Sequence, residues 1–143
     1  MFTYIIQPRF GESDCLGHIN NTVLAHWFEA ARTPLLRFFS PELKIEKESF
    51  NLILAHTEYD FVDELSFQYE VEIRTWISKI GTKSFTVYHE AWQESPDRPL
   101  SLCAKGKAVV VHYSYIKKQS TPLPEDKKTL LAQHLITETC LQL

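Results

Sequence analysis

The chain has 143 residues, of which 44% are hydrophobic and 23% charged, and its formal net charge at pH 7 is −3. This length fits a single domain, residues 1–143, and no apolar run approaches the roughly 20 residues that a transmembrane helix needs. The weakly acidic balance, without a block of basic residues, argues against a nucleic acid or an anionic membrane as a partner. The first residues are too strand-like for a signal peptide, so we expect a cytoplasmic protein.

Three cysteines, Cys15, Cys103 and Cys140, are scattered along the chain. Their spacing predicts neither a disulfide framework nor a zinc site, because Cys15 with His18 lacks a second ligand pair. A nucleophilic Cys15 beside His18 is also disfavoured, since nothing supplies a third group to orient the histidine. We therefore expect reduced thiols and no metal.

The N-terminal segment predicts a strand followed by an apolar helix. Aromatic and branched residues favour a strand over 2–10, in which Pro8 indicates an edge or a bulge. Asn20 is a good N-cap, because its side chain can accept a hydrogen bond from an N–H two or three residues on. Apolar residues recur at helical spacing over 23–35, and Pro34 should either kink the helix or end its regular geometry near Arg32.

The remaining chain predicts strands joined by hairpins and a short C-terminal helix. A continuous apolar run at 52–55 favours a well-covered strand, and the alternation from Phe67 to Ile73 favours a strand with one wet face. Gly81 and the Ser95–Pro99 segment mark hairpin turns. Pro124 suits the first position of the last helix.

This order of elements predicts an α+β fold in which a curved antiparallel sheet wraps around a long central helix. Such a sheet has edge strands, and the aromatic residues Trp76, Tyr88 and Trp92 also need cover. We therefore expect a dimer that pairs its sheets edge to edge.

Residues 9–32, RFGESDCLGHINNTVLAHWFEAAR, place an acidic side chain just before the predicted start of the helix. The unpaired N–H groups of a first helical turn can polarise a carbonyl group. A carboxylate beside them, here Asp14, can then attack that carbonyl or activate water. Without further information, a role in holding the turn is favoured for Asp14 over a catalytic role, since Asp is common in loops.

Eight residues of this segment form the pattern R-x4-D-x2-G-H-x-N-N-x7-E-x2-R: Arg9, Asp14, Gly17, His18, Asn20, Asn21, Glu29 and Arg32. The pattern resembles the opening signature of the 4-hydroxybenzoyl-CoA thioesterase family of hotdog-fold acyl-CoA thioesterases. Downstream, residues 80–85 resemble the G-x-x-S hairpin of that family, and residues 104–111 resemble its later strand rich in small residues. The resemblance thus spans most of the chain.

The resemblance implies a hotdog-fold acyl-CoA thioesterase that needs no cofactor and forms a homodimer or a tetramer of dimers, with active sites near the dimer interface. Asp14 would be the catalytic carboxylate, either as a nucleophile through a mixed anhydride or as a general base for water. The backbone N–H of Asn21 would donate to the thioester oxygen. His18 would act as a general acid or contact the thioester, or it would fix the loop through hydrogen bonds.

The resemblance also implies contacts with the substrate. The residues concerned are Gly17, Asn20, Lys83 and Ser84, and Lys105 and Lys107 are further candidates for the coenzyme A phosphates unless they form a solvated strand face. Leu24 occupies a position at which the family commonly has tyrosine, so the acyl group does not follow from the resemblance. Two other functions stay open, a hotdog protein that binds acyl thioesters without hydrolysing them and an acyl-carrier-protein thioesterase.

Overall fold

The structure, a computed structural model, describes residues 1–136. Its elements in chain order are β1 (Phe2–Ile6), a 3-10 turn (Phe10–Glu12), α1 (Val23–Ala31), α2 (Thr33–Phe39), β2 (Leu52–Phe61), β3 (Val71–Ile80), β4 (Ser84–Ser95), β5 (Arg98–Ser114), β6 (Gln119–Ser120) and α3 (Glu125–Ala132). The predicted hairpin turn at Gly81 and the C-terminal helix are confirmed. Cys15 and Cys103 carry free thiols, and Cys140 lies outside the described residues.

The strands form one antiparallel sheet in the order β1-β3-β4-β5-β2, and the short β6 pairs with β5. The sheet curls around α1, so the predicted α+β architecture is confirmed. Helix α1 buries Leu24, Trp27, Phe28 and Ala31, which recur at helical spacing and form one apolar face. This face packs against the concave side of the sheet in one hydrophobic cluster.

A second hydrophobic cluster lies at the other end of the sheet, beneath α2 and α3. It includes Leu35 of α2, Ile77 of β3, Phe85 of β4 and Leu131 of α3, each at most 1% exposed. Burying such a side chain contributes roughly 1.5–3 kcal/mol. The two helices therefore cover the end of the sheet that α1 leaves open.

The predicted break in the helix at Pro34 is confirmed. Helix α1 ends at Ala31, and α2 begins at Thr33 with proline in its first turn. Proline has no N–H to donate to the preceding turn, and its ring fits the start of a helix. Arg32 therefore caps the end of one helix and the start of the next.

Two strand predictions are wrong at their boundaries. Strand β1 ends at Ile6 and not at Phe10, because the chain forms the 3-10 turn there. Strand β3 begins at Val71 and not at Phe67. The N–H of Phe67 donates to the carbonyl of Gly17 at 3.1 Å, so this stretch of backbone pairs with the loop before α1 instead of extending the sheet.

The prediction of a well-covered strand at 52–55 is also wrong in its burial. Strand β2 does form there, but it is an edge of the sheet and pairs only with β5. Leu52 is buried, whereas Ile53 and Leu54 are 39% and 47% exposed. An apolar run therefore did not distinguish a central strand from an edge strand.

Gly106 of β5 lies close against Phe28 of α1. A Cβ atom added there would lie 2.6 Å from Cε2 of Phe28, which is fully buried. We expect Gly106→Ala to lower the free energy of unfolding by about 1–3 kcal/mol, the usual cost of overpacking a core. Urea denaturation at fixed protein concentration measures the difference.

The matched control for that substitution is Gly11→Ala, because no atom of residues 1–136, apart from the chain neighbours, lies within 4 Å of a Cβ at Gly11. We expect this control to change the free energy of unfolding by no more than about 0.5 kcal/mol. An unfolding midpoint for Gly106→Ala equal to that of the control would contradict the close approach of Phe28 to β5.

Candidate active site

The carboxylate of Asp14 is hydrogen-bonded to the backbone of its own turn. Its Oδ1 accepts hydrogen bonds from the backbone N–H groups of Leu16 at 2.8 Å and His18 at 3.0 Å. The Asp14 N–H in turn donates to the carbonyl of His18 at 2.7 Å. Gly17 completes the turn with a φ of +81°, a conformation that glycine adopts most easily. These bonds occupy Oδ1 and leave Oδ2 as the oxygen available for chemistry.

Glu12 ties this loop to helix α1. Its carboxylate accepts from the backbone N–H of Arg9 at 2.8 Å and from the indole N–H of Trp27 at 3.0 Å. Partial burial acts to raise the pKa of Glu12, but these hydrogen bonds lower it below its usual value overall. Because Trp27 is a buried residue of α1, the loop that carries Asp14 is fixed against the helix core.

The hydrogen bond predicted for the Asn20 side chain is confirmed, but Asn20 is not the N-cap, because that position is held by Thr22. Oδ1 of Asn20 accepts from the backbone N–H of Thr22 at 3.0 Å and from the Thr22 hydroxyl at 2.9 Å. The regular helix begins slightly later than predicted, at Val23. Within residues 1–136, the backbone N–H of Asn21 makes no hydrogen bond to another protein group. This N–H therefore stays available to a ligand at the helix start.

A cleft of about 620 Å³ opens between this loop, the start of α1 and the end of β2. Its lining residues are Asp14, His18, Ile19, Asn20, Asn21, Leu24, Phe61, Val62, Asp63, Glu64, Leu65, Cys103 and Ala104. The structure thus brings four of the predicted site residues together around one cavity. Gly17 lies in the loop beside them and shapes its turn.

The other two predicted contact residues lie elsewhere in this chain. Lys83 lies in the β3–β4 turn, and Ser84, the first residue of β4, pairs with Val111 of β5. The cleft instead lies beside Ala104, seven residues from Val111 along the same strand. Lys83 and Ser84 do not border the cleft of a single chain, and their contact with the substrate stays a prediction.

Lys105 and Lys107 also lie away from the cleft. They border a second, smaller cavity of about 170 Å³ together with Glu58, Asp60 and Tyr88. On β5 they alternate with the buried Ala104, Gly106 and Ala108, so they project from the outer face of the sheet. Two carboxylates share this cavity with the lysines, which disfavours it as a phosphate site.

The floor of the cleft is apolar. It is formed by Leu24 of α1, Leu65, and the neighbours Cys103 and Ala104 of β5, each at most 7% exposed. Burial raises the pKa of the Cys103 thiol, which keeps it protonated and a poor nucleophile. The floor can therefore take an apolar group but offers no reactive thiol.

The segment after β2 forms a wall of the cleft that sequence reasoning missed. The carboxylate of Glu64 lies 2.9 Å from Nε2 of His18, and the carboxylate of Asp63 pairs with Arg98 at 2.9 Å. On its other side, Nδ1 of His18 lies 4.0 Å from Oδ2 of Asp14. No spacing in the sequence signals this arrangement, because about 45 residues separate Glu64 from the loop it meets.

A buried amide holds this wall against the loop. Gln93 of β4 is 1% exposed, and its side chain accepts from the N–H of Ser66 at 2.9 Å and donates to the carbonyls of Ser66 at 2.8 Å and Tyr69 at 3.0 Å. The preceding residue of the wall, Leu65, accepts from the N–H of Ile19 at 2.7 Å. The two segments that carry His18 and Glu64 are therefore joined through their backbones.

The remaining charged residues of the motif have structural contacts rather than a place in the cleft. Arg9 pairs with Glu12 at 3.5 Å, and Arg32 is buried with its Nη1 3.5 Å from Nε2 of His89. Glu29 lies exposed on the outer side of α1.

A model of the thioesterase-like superfamily matches residues 8–133 of this chain. The chain belongs to this superfamily. Among solved structures, a predicted thioesterase from Bacillus stearothermophilus is 33% identical, with a TM-score of 0.86 over 95% of this chain and 97% of that one. A thioesterase superfamily protein from Jannaschia sp. CCS1 is 26% identical, with a TM-score of 0.80 over 93% of this chain and 82% of that one.

The 4-hydroxybenzoyl CoA thioesterase fold is similar as well. A mutant of that enzyme, in complex with 4-hydroxybenzoyl CoA, is 18% identical with a TM-score of 0.75 over 91% of this chain and 97% of that one. At that identity the likeness concerns the fold alone. The predicted family and hotdog fold are confirmed for this superfamily member, whereas the roles of its site residues stay predictions.

Metal-binding clusters and membrane-spanning helices are both absent from residues 1–136 of this superfamily member. No group of three His, Cys, Asp or Glu side chains in that range could hold a metal ion. None of the helices there is long and apolar enough to cross a membrane.

Proposed function

We propose that this protein hydrolyses acyl-CoA thioesters to a carboxylic acid and free coenzyme A, with Asp14 as the catalytic carboxylate. The observation that supports this most is the shared cleft, in which the Asp14 carboxylate and Asn21, two residues before α1, border one cavity with an apolar floor. Membership of the thioesterase-like superfamily and the acyl-CoA bound to a relative of the same fold agree with such a substrate.

In the proposed mechanism, the thioester carbonyl oxygen accepts from the backbone N–H of Asn21, which is polarised by the helix behind it. Oδ2 of Asp14 reacts, because Oδ1 is already committed to the N–H groups of Leu16 and His18. Oδ2 either attacks the carbonyl carbon or removes a proton from water that attacks it. A thiolate is a good leaving group, so a carboxylate and one polarising N–H can suffice.

The acyl group would lie along the apolar floor formed by Leu24, Leu65 and Ala104. Three carboxylates border the cleft, those of Asp14, Asp63 and Glu64. Arg98 pairs with Asp63, which leaves Asp14 and Glu64 without an arginine or lysine partner among residues 1–136. We therefore expect uncharged acyl groups to be preferred over acyl groups with a free carboxylate, which Asp14 and Glu64 would repel.

The test is a free-thiol release assay over aromatic, short, medium and long acyl-CoA thioesters, with a dicarboxylic acyl-CoA included. We expect release from a subset of the uncharged thioesters. If all thioesters stay intact although the protein is folded, hydrolysis of acyl-CoA is excluded. Tight binding without turnover would then indicate a binding protein, and turnover of acylated carrier protein alone would indicate an acyl-carrier-protein thioesterase.

We also propose a homodimer that forms through the free edge of β2. Ile53 and Leu54 are exposed on this strand, and Phe61 and Val62 at its end are 58% and 54% exposed beside the cleft. An exposed apolar edge strand is a ready site for pairing with a second copy. A dimer formed here would place the two clefts near its interface.

Sedimentation velocity at micromolar concentration tests this association. We expect the mass of a dimer, or of a tetramer built from dimers. Substituting Leu54→Lys on the exposed edge should weaken the dimer, because a buried lysine would lose its hydration. A wild-type monomer that hydrolyses thioesters at full rate would contradict the dimer and leave the proposed hydrolysis standing.

A further inference from the structure

Glu64 contacts His18 from outside the motif segment at residues 9–32. Its Oε2 lies 2.9 Å from Nε2 of His18, whereas Nδ1 of the same ring lies 4.0 Å from Oδ2 of Asp14. The imidazole thus stands between two carboxylates, with one ring nitrogen facing each. Only the contact with Glu64 is within hydrogen-bond distance.

The contact with Glu64 favours a proton on Nε2 of His18 over a proton on Nδ1 alone. At 2.9 Å, the Glu64 carboxylate repels the lone pair of an unprotonated Nε2 and attracts a proton-bearing Nε2. In the neutral ring, Nδ1 is then unprotonated and directs its lone pair toward the Asp14 side of the cleft. Without Glu64, nothing at Nε2 would favour this tautomer over the other.

The backbones on both sides of this contact are fixed independently of it. The carbonyl of Glu64 accepts from Nη1 of Arg98 at 3.2 Å, and His18 forms an antiparallel bridge with Ser66. The Glu64 side chain itself is 70% exposed. An exposed ion pair contributes little to stability, so removing this carboxylate should leave the fold intact.

From this geometry we infer that Glu64 is a positioning residue, which holds His18 in the tautomer and orientation that present an unprotonated Nδ1 to Asp14 and the reacting water. This inference rests on the proposed hydrolysis. In the reaction, one O–H bond of water breaks, a C–O bond forms, and the C–S bond breaks with its electron pair leaving on sulfur. The proton that Oδ2 of Asp14 removes from water passes to Nδ1 of His18, 4.0 Å away, and from there to the departing thiolate.

The test is a double-mutant cycle with the thioester that the wild type hydrolyses fastest. We expect Glu64→Ala to lower kcat about tenfold with little change in KM, because a misplaced proton acceptor affects the chemical step more than binding. His18→Ala should lower kcat by at least as much. In the His18→Ala background, Glu64→Ala should have no further effect, since it acts through the ring that is gone.

Two variants make the cycle specific. Glu64→Gln keeps an oxygen that can accept from Nε2, so it should retain more activity than Glu64→Ala. Glu70→Ala removes an exposed carboxylate from the same segment outside the cleft and should leave kcat unchanged. Thermal unfolding of each variant checks that the fold is retained.

The positioning role would be overturned if Glu64→Ala left kcat unchanged, or if it lowered kcat equally in the wild type and in His18→Ala. Neither outcome would affect the proposed hydrolysis by the wild type. If the wild type hydrolyses no thioester, the proposed function fails and the inference is tested by NMR. The ¹⁵N chemical shifts of His18 should then report the Nε2–H tautomer in the wild type and a mixture in Glu64→Ala. Identical tautomers in the two proteins would overturn it.

Discussion

We expect Asp14→Asn to lower kcat for thioester hydrolysis by at least about a hundredfold, the loss expected when a nucleophile or general base is removed. Asparagine keeps a side-chain oxygen that can accept from the N–H groups of Leu16 and His18, as Oδ1 does in the wild type. The turn should therefore survive while the negative charge is lost. Free-thiol release under saturating substrate measures the change.

Two comparisons separate chemistry from folding in that experiment. Asp14→Ala also removes the turn hydrogen bonds, so it should lose activity and in addition unfold at a lower temperature than Asp14→Asn. Asp126→Asn, on the exposed side of α3, removes a carboxylate far along the chain and should hydrolyse at the wild-type rate. Near-normal turnover by a folded Asp14→Asn variant would contradict the catalytic role of Asp14.

The second large effect is a loss of stability in acid that arises from His89. This residue is 1% exposed on β4, and burial followed by the charge of Arg32 lowers its pKa to about 3. Arg32 can only donate, so Nε2 of His89 accepts from it and the Nδ1–H donates to the Thr75 hydroxyl at 2.9 Å. Phe28 stacks on the ring with a centroid distance of 4.7 Å. The folded protein therefore holds His89 neutral.

The direction of the pH effect follows from which state binds the proton. In the unfolded chain His89 takes up a proton below about pH 6.5, whereas in the folded protein it does so only near pH 3. The unfolded state therefore binds more protons between these values, and stability falls as the pH is lowered through them. From pH 6.5 to pH 4.5 we expect His89 to cost about 2–3 kcal/mol, at 1.36 kcal/mol per pH unit.

Urea denaturation at several pH values measures this loss, and His89→Gln is the control. Glutamine does not titrate, and its amide can still accept from Arg32 and donate to Thr75. We expect this variant to be less stable than the wild type at pH 7 but to lose less stability on acidification. His112 and His134 also have pKa values lowered by burial, so they act in the same direction and remain in both proteins. Equal pH dependence in the two proteins would contradict a neutral buried His89.

The loop before α1 was predictable because its interactions are local. Asp14 accepts from the backbone N–H groups two and four positions on, and Asn20 accepts from the backbone N–H two positions on. Gly17 supplies the positive φ that the turn needs. Such contacts join residues close in sequence, so the sequence was enough to place Asp14 beside the predicted helix start, whereas the grouping of Gly17, His18 and Asn20 into one site followed from the family resemblance. The break at Pro34 was predictable for the same reason.

The sequence by itself thus determined the α+β class, the loop that carries Asp14 and the helix start beside it, since short-range hydrogen bonding and hydrophobic periodicity fix each of them. Only the tertiary structure decided that Glu64 faces His18, that Lys83 and Ser84 lie at the other end of the sheet, and that β2 is an edge. These outcomes depend on strand order and register. Neither is set by local propensity, because they arise from packing between segments that are distant along the chain.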